Sequence, residues 1–378
     1  MSEPYIISTS ERTLFRRCRR KWDWQGPSRQ NLIAVAEAAS SPLWYGSGFH
    51  FALEDYHGRK HWPTATDAFD AYVRAFRPSE LPPDIDELME LGHGMLPYYT
   101  DMWLPVRDEY QTLMVNGEPQ VEVSVDIDIS SLVADRAAER GIVGRYAPDM
   151  WRRPIIYRVT FDRVVVDSEG RLWIVDYKTA RQFDVMKLET DSQITTYTWA
   201  GRLFYGAGYE VEGVLWMQFR KDVPEPPATL VNGGFSKNKN QNTTYAMYVR
   251  ALQEKYGVIP AVYRDILAYL AELETPDGDK FIRRDIVRRN TAFTDAEEVK
   301  IADEVLDMLD PQLALYPNPT RDCTWECNFR TACLMRDDGS DWGQYLADEY
   351  VPWEGYNDSW RSRIVYPSDE EVAVLARS

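Results

Sequence analysis

Asp162, Asp176 and Lys178 are the residues whose types and spacing can do chemistry together. The run Arg171-Leu-Trp-Ile-Val-Asp176-Tyr-Lys178-Thr-Ala180 reads as a short apolar strand over 172–175. It delivers a carboxylate and, two residues on, an ammonium to the same face. Desolvating those charges is costly unless they pair or bind something. Val159-Thr-Phe-Asp162-Arg-Val-Val-Val166 puts a second carboxylate in another apolar strand, and Asp167-Ser-Glu-Gly170 between them is a hairpin-type turn. Across such a hairpin Asp162 and Asp176 can converge on one Mg²⁺ or Mn²⁺, ions that prefer hard oxygen ligands. An ion held there polarises a phosphodiester and acidifies a bound water, while Lys178 orients that water or stabilises developing charge. A plain ion pair at a strand end is the alternative reading of Asp176 and Lys178.

Three further sets carry chemistry. Gln193 and Tyr197 share one side of a helix just after the Asp-x-Lys strand, within reach of a phosphate or of Lys178. His50 follows Gly46-Ser-Gly48 and lies on one helical stripe with Glu54, His57 and His61, a pattern open to metal binding or to a structural role. Cys18, Cys323, Cys327 and Cys333 are all the cysteines of the chain, three of them within eleven residues. Four thiolates suit either Zn²⁺ or a four-iron cluster. If all four join, they staple the N-terminal helix to the C-terminal region, and metal binding becomes folding free energy.

The elements that must position these residues follow from capping and periodicity. Ser10 can cap a helix through Leu14, Cys18 and Trp22. A glycine turn at 46–48 leads into a helix carrying His50; Thr64–Phe76 and about 82–114 read as helical. Val121–Ile129 alternates strictly, as a half-buried strand does. A short helix capped by Ser130-Ser131, the two apolar strands, a helix from Gln193 and a strand over Val211–Phe219 follow. Residues 224–242 are loop, rich in Pro, Gly and Asn. Helices cover 243–256 and 261–273, and Thr294-Asp-Ala-Glu297 is a capping box opening one to Leu309. This order argues for an α/β fold: a mixed sheet flanked by helices, with helical elaborations. The segments are 1–118 (helical, with Cys18 and His50), 119–222 (core sheet), 223–337 (helical, with three cysteines) and 338–378 (an acidic aromatic tail).

With 378 residues and 44% hydrophobic content the chain folds around a sizeable core. It has no apolar run long enough for a membrane span and no leader pattern at Met1, so a cytoplasmic location with no membrane partner is expected. A net charge of −17 opposes a uniformly basic nucleic-acid face. Local positive clusters at Arg12–Lys21 and Lys280–Arg289 can still contact phosphates.

Taken in chain order, these motifs resemble the RecB-like branch of the PD-(D/E)XK nuclease superfamily. Gly46-Ser-Gly-Phe-His50-Phe-Ala-Leu-Glu54 looks like its first motif, Thr160-Phe-Asp162-Arg163 its second, Asp176-Tyr-Lys178-Thr179 its third, and Gln193-Ile-Thr-Thr-Tyr197 its Gln-x-x-x-Tyr helix. One cysteine near the N-terminus and three near the C-terminus look like the iron–sulfur subgroup. That subgroup includes AddB-type recombination nucleases, CRISPR-associated spacer-acquisition nucleases and related phage exonucleases. The resemblance implies a restriction-endonuclease-like core closed by a 4Fe-4S cluster on Cys18, Cys323, Cys327 and Cys333. It implies His50, Asp162, Asp176 and the Tyr177 carbonyl as ligands of Mg²⁺ or Mn²⁺, Lys178 as the catalytic lysine, and Gln193 and Tyr197 as positioning groups. The implied activity is metal-dependent DNA exonuclease action, on single-stranded ends, in phage or bacterial recombination, repair or replication. A homo-oligomer or a recombination partner protein belongs to that picture. The alternative is a non-catalytic iron–sulfur DNA-binding or recruitment module of a recombination complex. Two departures stand out: three residues separate Cys323 from Cys327 where the pattern has two, and Phe161 precedes Asp162. No Gly-x-x-x-x-Gly-Lys-Ser/Thr motif accompanies them, so a helicase subunit is not expected.

Overall fold

The computed structural model describes residues 3–34, 41–186, 188–324, 327–353 and 360–368. Its centre is a seven-stranded mixed sheet: β1 (Tyr5–Ser8), β2 (Gln111–Thr112), β3 (Val121–Asp128), β4 (Ile155–Val166), β5 (Leu172–Ala180), β6 (Val211–Arg220) and β7 (Ile282–Arg288). β4 is the axis. Along one edge it pairs antiparallel with β3 and then β2. Along the other it pairs with β1 through its first four residues and with β5 through its last four, leaving 159–162 between them. β5 runs parallel to β6, and β7 closes the far side antiparallel to β6.

The helices that frame the site are α1 (Thr9–Arg17), α2 (Arg19–Gln25), α3 (Ser41–His57), α4 (Ser192–Tyr205), α5 (Thr291–Leu309) and α6 (Arg330–Asp338). Leu172–Tyr177 is buried throughout, because helices cover both faces of a central strand. Val165, Trp173, Val175 and Tyr177 face one core with α3 and the helices Ala65–Arg74 and Ile85–Pro97. Val164, Leu172 and Ile174 face a second core with α4 and α5. The expected α/β architecture with flanking helices is present. Residues 236–242 form a loop, and two helices, Tyr245–Tyr256 and Arg264–Glu272, pack around a small core of their own. No described helix is long and apolar enough to cross a membrane.

Several local expectations change. The first helix breaks at Cys18, which is extended (φ −162°, ψ 113°), and Ser8 rather than Ser10 is its cap. β1 and β7 are strands that the apolar pattern alone did not reveal; β7 takes up Arg283, Arg284 and Arg288, whose charges masked it. The helix to Leu309 starts at Thr291 on an Asn290 cap instead of at Thr294. In the tail, Trp342–Glu349 is helical and Tyr350–Pro352 pairs with Leu32–Ala34, whereas 354–359 and 369–378 lie outside the described residues.

There is no glycine turn at 46–48; α3 runs through both glycines. Gly48 is there for packing, since a Cβ on it would sit 2.6 Å from the Tyr72 ring and 2.9 Å from the Phe69 ring of the neighbouring helix. Nothing lies within 4 Å of a Cβ at Gly46. Gly48→Ala should therefore destabilise the protein by about 1–3 kcal/mol through overpacking. Gly46→Ala should stabilise it by about 1 kcal/mol by removing a helical glycine. Thermal unfolding of the two variants checks this, and shifts of the same sign would refute the packing role of Gly48.

Candidate active site

The site forms where β4 and β5 come apart. Their ladder runs from Val166↔Leu172 to Arg163↔Val175 and stops one pair short of Asp162 and Asp176. In place of a strand partner, the Tyr177 N–H donates to Asp162 Oδ2 at 2.7 Å. The Tyr177 carbonyl meets His50 Nε2 at 2.9 Å. The hairpin turn behaves as its sequence suggests: Asp167 accepts from the backbone N–H groups of Glu169 and Arg171, and Gly170 takes a φ of +78°.

His50, from α3, places Nδ1 3.6 Å from Asp162 Oδ2 and 3.6 Å from Glu122 Oε1. One ligand atom from each of His50, Glu122 and Asp162 falls within 4.8 Å of the others. Sequence reasoning missed Glu122. Alternation in Val121–Ile129 gave it the same standing as Ser124, Asp126 and Asp128. Only the register, Val121↔Arg163 and Val123↔Phe161, sets it across from Asp162. Its φ of +45°, unusual for a non-glycine residue in a strand, is a local strain of the kind that gathers at functional sites. The other members of the histidine stripe go elsewhere. His57 meets Tyr99 Oη at 3.0 Å, His61 pairs with Asp55 at 2.7 Å, and Glu54 with Arg361 at 2.8 Å.

Asp176 is fully buried. Lys178 Nζ lies 2.7 Å from its Oδ1 and 2.6 Å from Oδ2, and Gln193 Nε2 donates to Oδ1 at 3.2 Å. Gln193 also donates to Tyr197 Oη at 2.8 Å, so α4 does lie over the carboxylates. Two arginines of α1 hold α4 in place. Arg16 donates to Ser192 Oγ at 2.6 Å, and buried Arg12 reaches Thr196 Oγ1 at 3.2 Å while ion-pairing with Glu297 and Glu304.

The charges in the cleft do not balance. Three carboxylates face the one ammonium and the imidazole. Burial alone would lower the pKa of His50, but Asp162 and Glu122 push it up to about 9. Burial raises Asp176 to about 6, with Lys178 opposing and Asp162 adding to the rise. Asp162 is also raised by burial, against His50 and Lys178. Burial disfavours the charged Lys178, yet Asp176 and Asp162 raise its pKa. Asp176 Oδ2 is buried and is met by the Lys178 ammonium at 2.6 Å. Three carboxylates gathered around one ammonium and one imidazole, with His50, Glu122 and Asp162 ligand atoms within 4.8 Å of one another, fit a hard divalent cation.

Just past Arg16, at the C-terminal end of α1, Cys18 lies near Cys327 and Cys323. Cys18 Sγ accepts from Asn318 N–H at 3.5 Å, Thr320 N–H donates to Cys323 Sγ at 3.4 Å, and Arg20 donates to Cys333 Sγ at 3.3 Å. Burial raises the Cys327 thiol, with Cys323 and Cys18 adding to the effect. Trp24 packs against Phe329 and Trp342, closing N-terminal on C-terminal chain.

Most of the arginines in the two basic clusters are already paired. Arg19 and Arg20 pair with Asp307 and Asp337, in addition to the anchors of Arg12 and Arg16. In the second cluster Arg283, Arg284 and Arg288 pair with Asp285, Asp277 and Glu212, and buried Arg289 donates to the Leu188 and Glu189 carbonyls. Guanidinium forks suit such fixed internal pairing.

A mixed sheet whose splayed central strands hold carboxylates and a lysine, facing a histidine from α3, defines a class of metal-dependent phosphodiester-cleaving proteins. Residues 6–334 match the family model for the PD-(D/E)XK nuclease superfamily, and the chain belongs to that superfamily. Its members are metal-dependent nucleases, with DNA as the substrate class. No curated protein matches the chain.

A cation must displace the protons that the free site holds, so its affinity should fall as pH drops through about 6, where Asp176 protonates. Affinity should climb again toward about 9, where His50 gives up its proton. Calorimetric titration of Mn²⁺ in buffers of different ionisation enthalpy checks this by counting protons released. Zero release and a flat affinity across that range would refute it.

Proposed function

We propose that this protein is a metal-dependent DNA exonuclease acting on single-stranded ends in phage or bacterial DNA recombination, repair or replication. The convergence of His50, Glu122, Asp162, Asp176 and Lys178 where β4 and β5 part carries this reading. His50, Glu122, Asp162, Asp176 and the Tyr177 carbonyl are the groups that would hold Mg²⁺ or Mn²⁺. When bound, such an ion neutralises phosphate charge and makes a bound water acidic enough to attack phosphorus. Asp176 fixes the Lys178 ammonium, which is about a third exposed and so able to meet an attacking water and a phosphate oxygen. Gln193 ties Asp176 to Tyr197 and keeps the carboxylate aimed.

The cysteines hold a 4Fe-4S cluster in this reading. It rests on the likeness of the split four-cysteine pattern to the iron–sulfur subgroup, with zinc as the other ion that four thiolates suit.

Digestion of 5′- and 3′-labelled single-stranded and duplex DNA with Mg²⁺ or Mn²⁺ tests the activity. Asp176→Ala and Lys178→Ala should each lower kcat by at least about 100-fold. Wild-type protein that binds DNA without cutting it would instead make the chain a recruitment module. Protein purified without oxygen should be brown, with about four irons and four sulfides per chain. One zinc and no colour would overturn the cluster.

A further inference from the structure

With most arginines of both clusters already paired with acids or carbonyls, charge free to meet a DNA backbone is better sought elsewhere. Residues 226–264 are the exception in this acidic chain: Lys237, Lys239, Arg250, Lys255 and Arg264 stand against a single acid, Glu254. Arg250 pairs with Glu254. The other four cations are exposed and have no carboxylate partner among the described residues.

Instead of acids, the three lysines find aromatic rings. Lys239 Nζ stands 4.5 Å from the Tyr269 ring centre, Lys255 5.0 Å from that of Phe235, and Lys237 6.0 Å from that of Tyr263. A ring face restrains an ammonium without cancelling its charge, whereas a carboxylate would cancel it. Each ammonium is thus pre-ordered and still able to meet a phosphate. Lysine is a compact point charge that suits a flexible strand whose phosphates present no fixed fork.

The placement also fits. Lys178 pairs in register with Gln218 of β6, and β6 runs on through Arg220 to Lys221 and Asp222. Asp222 accepts from Asn242 at 2.6 Å, and Lys280 donates to the Gln241 carbonyl. The loop is therefore seated at the sheet end that carries Lys178. At about 3.3 Å per residue its anchor lies only ~13 Å along the strand from the cleft. Lys221 and exposed Arg181 stand in between.

We infer that residues 226–264 form a clamp for a DNA strand, in which Lys237, Lys239 and Lys255 grip backbone phosphates beyond those in the cleft. The inference deepens the exonuclease reading and rests on it for the identity of the strand.

The test separates the two. Binding of a fluorescent oligothymidylate to the full chain is followed by anisotropy over a salt series, without divalent cation so that nothing is cut. Hydrolysis of a thymidine phosphodiester too short to reach the loop is measured alongside, with Mn²⁺. Replacing all three lysines by alanine should weaken oligonucleotide binding at least tenfold. It should also flatten the slope of log K against log salt by about 2, three contacts at about 0.7 each, and leave hydrolysis of the short ester unchanged. The triple arginine variant should keep the wild-type slope, showing that charge and not folding is measured. Unchanged slope and affinity in the alanine variant overturn the clamp, as does equal loss in the arginine variant. A wild type that binds with the expected slope yet hydrolyses neither substrate keeps the clamp and sinks the nuclease reading.

Discussion

The hydrogen bond from the Tyr177 amide to the Asp162 carboxylate is the interaction on which the site depends. Two long antiparallel strands left to themselves would continue their ladder past Arg163↔Val175. Here a side chain takes the place of a backbone acceptor, the strands part, and the Tyr177 carbonyl turns to His50. A buried amide must find an acceptor, so the parting is possible only because Asp162 supplies one. The same carboxylate faces His50 and Glu122, and one residue thereby serves both the opening of the sheet and the chemistry in the gap.

Around that gap the molecule spends its positive charge inward. Arg12, Arg163, Arg284 and Arg289 are all buried, tied to acids, hydroxyls or carbonyls. Buried guanidinium groups are tolerable only when their donors are satisfied, and once satisfied they no longer project a field toward DNA. An exterior with an excess of acid follows, consistent with the charge of −17. Such a surface repels DNA except at the cleft and where lysines stand apart from carboxylates.

The cysteine end and the cutting end are physically continuous. α1 ends at Cys18, and two residues earlier Arg16 grips the first residue of α4. α4 in turn carries Gln193, which touches Asp176. Tyr350–Pro352 pairs with Leu32–Ala34, and Trp24 packs on Phe329, so the C-terminal region closes on the segment that follows α1. The segment that bears Cys18 is thus joined through α1 to the helix that lies over the carboxylates.

Much of this was legible in the residues themselves. An apolar run ending in Asp-x-Lys, a turn of Asp-Ser-Glu-Gly and the alternation of 121–129 are local patterns, and local patterns follow from the period of a strand and the chemistry of a turn. They specified β3, β4 and β5 and which face Asp176 and Lys178 would share. Motif order added the family, which the match over residues 6–334 supports. What needed the tertiary structure were facts of register and partnership. Glu122 is one acid among several in its strand until β3 is set against β4. Gly48 reads as a turn until Tyr72 packs against it. Arginines at 12–20 and 283–289 read as a basic surface until their acids arrive from residues up to about three hundred positions away. A sequence records which side chains carry charge; only the folded chain decides which of those charges are already neutralised, because that depends on neighbours brought in from distant segments.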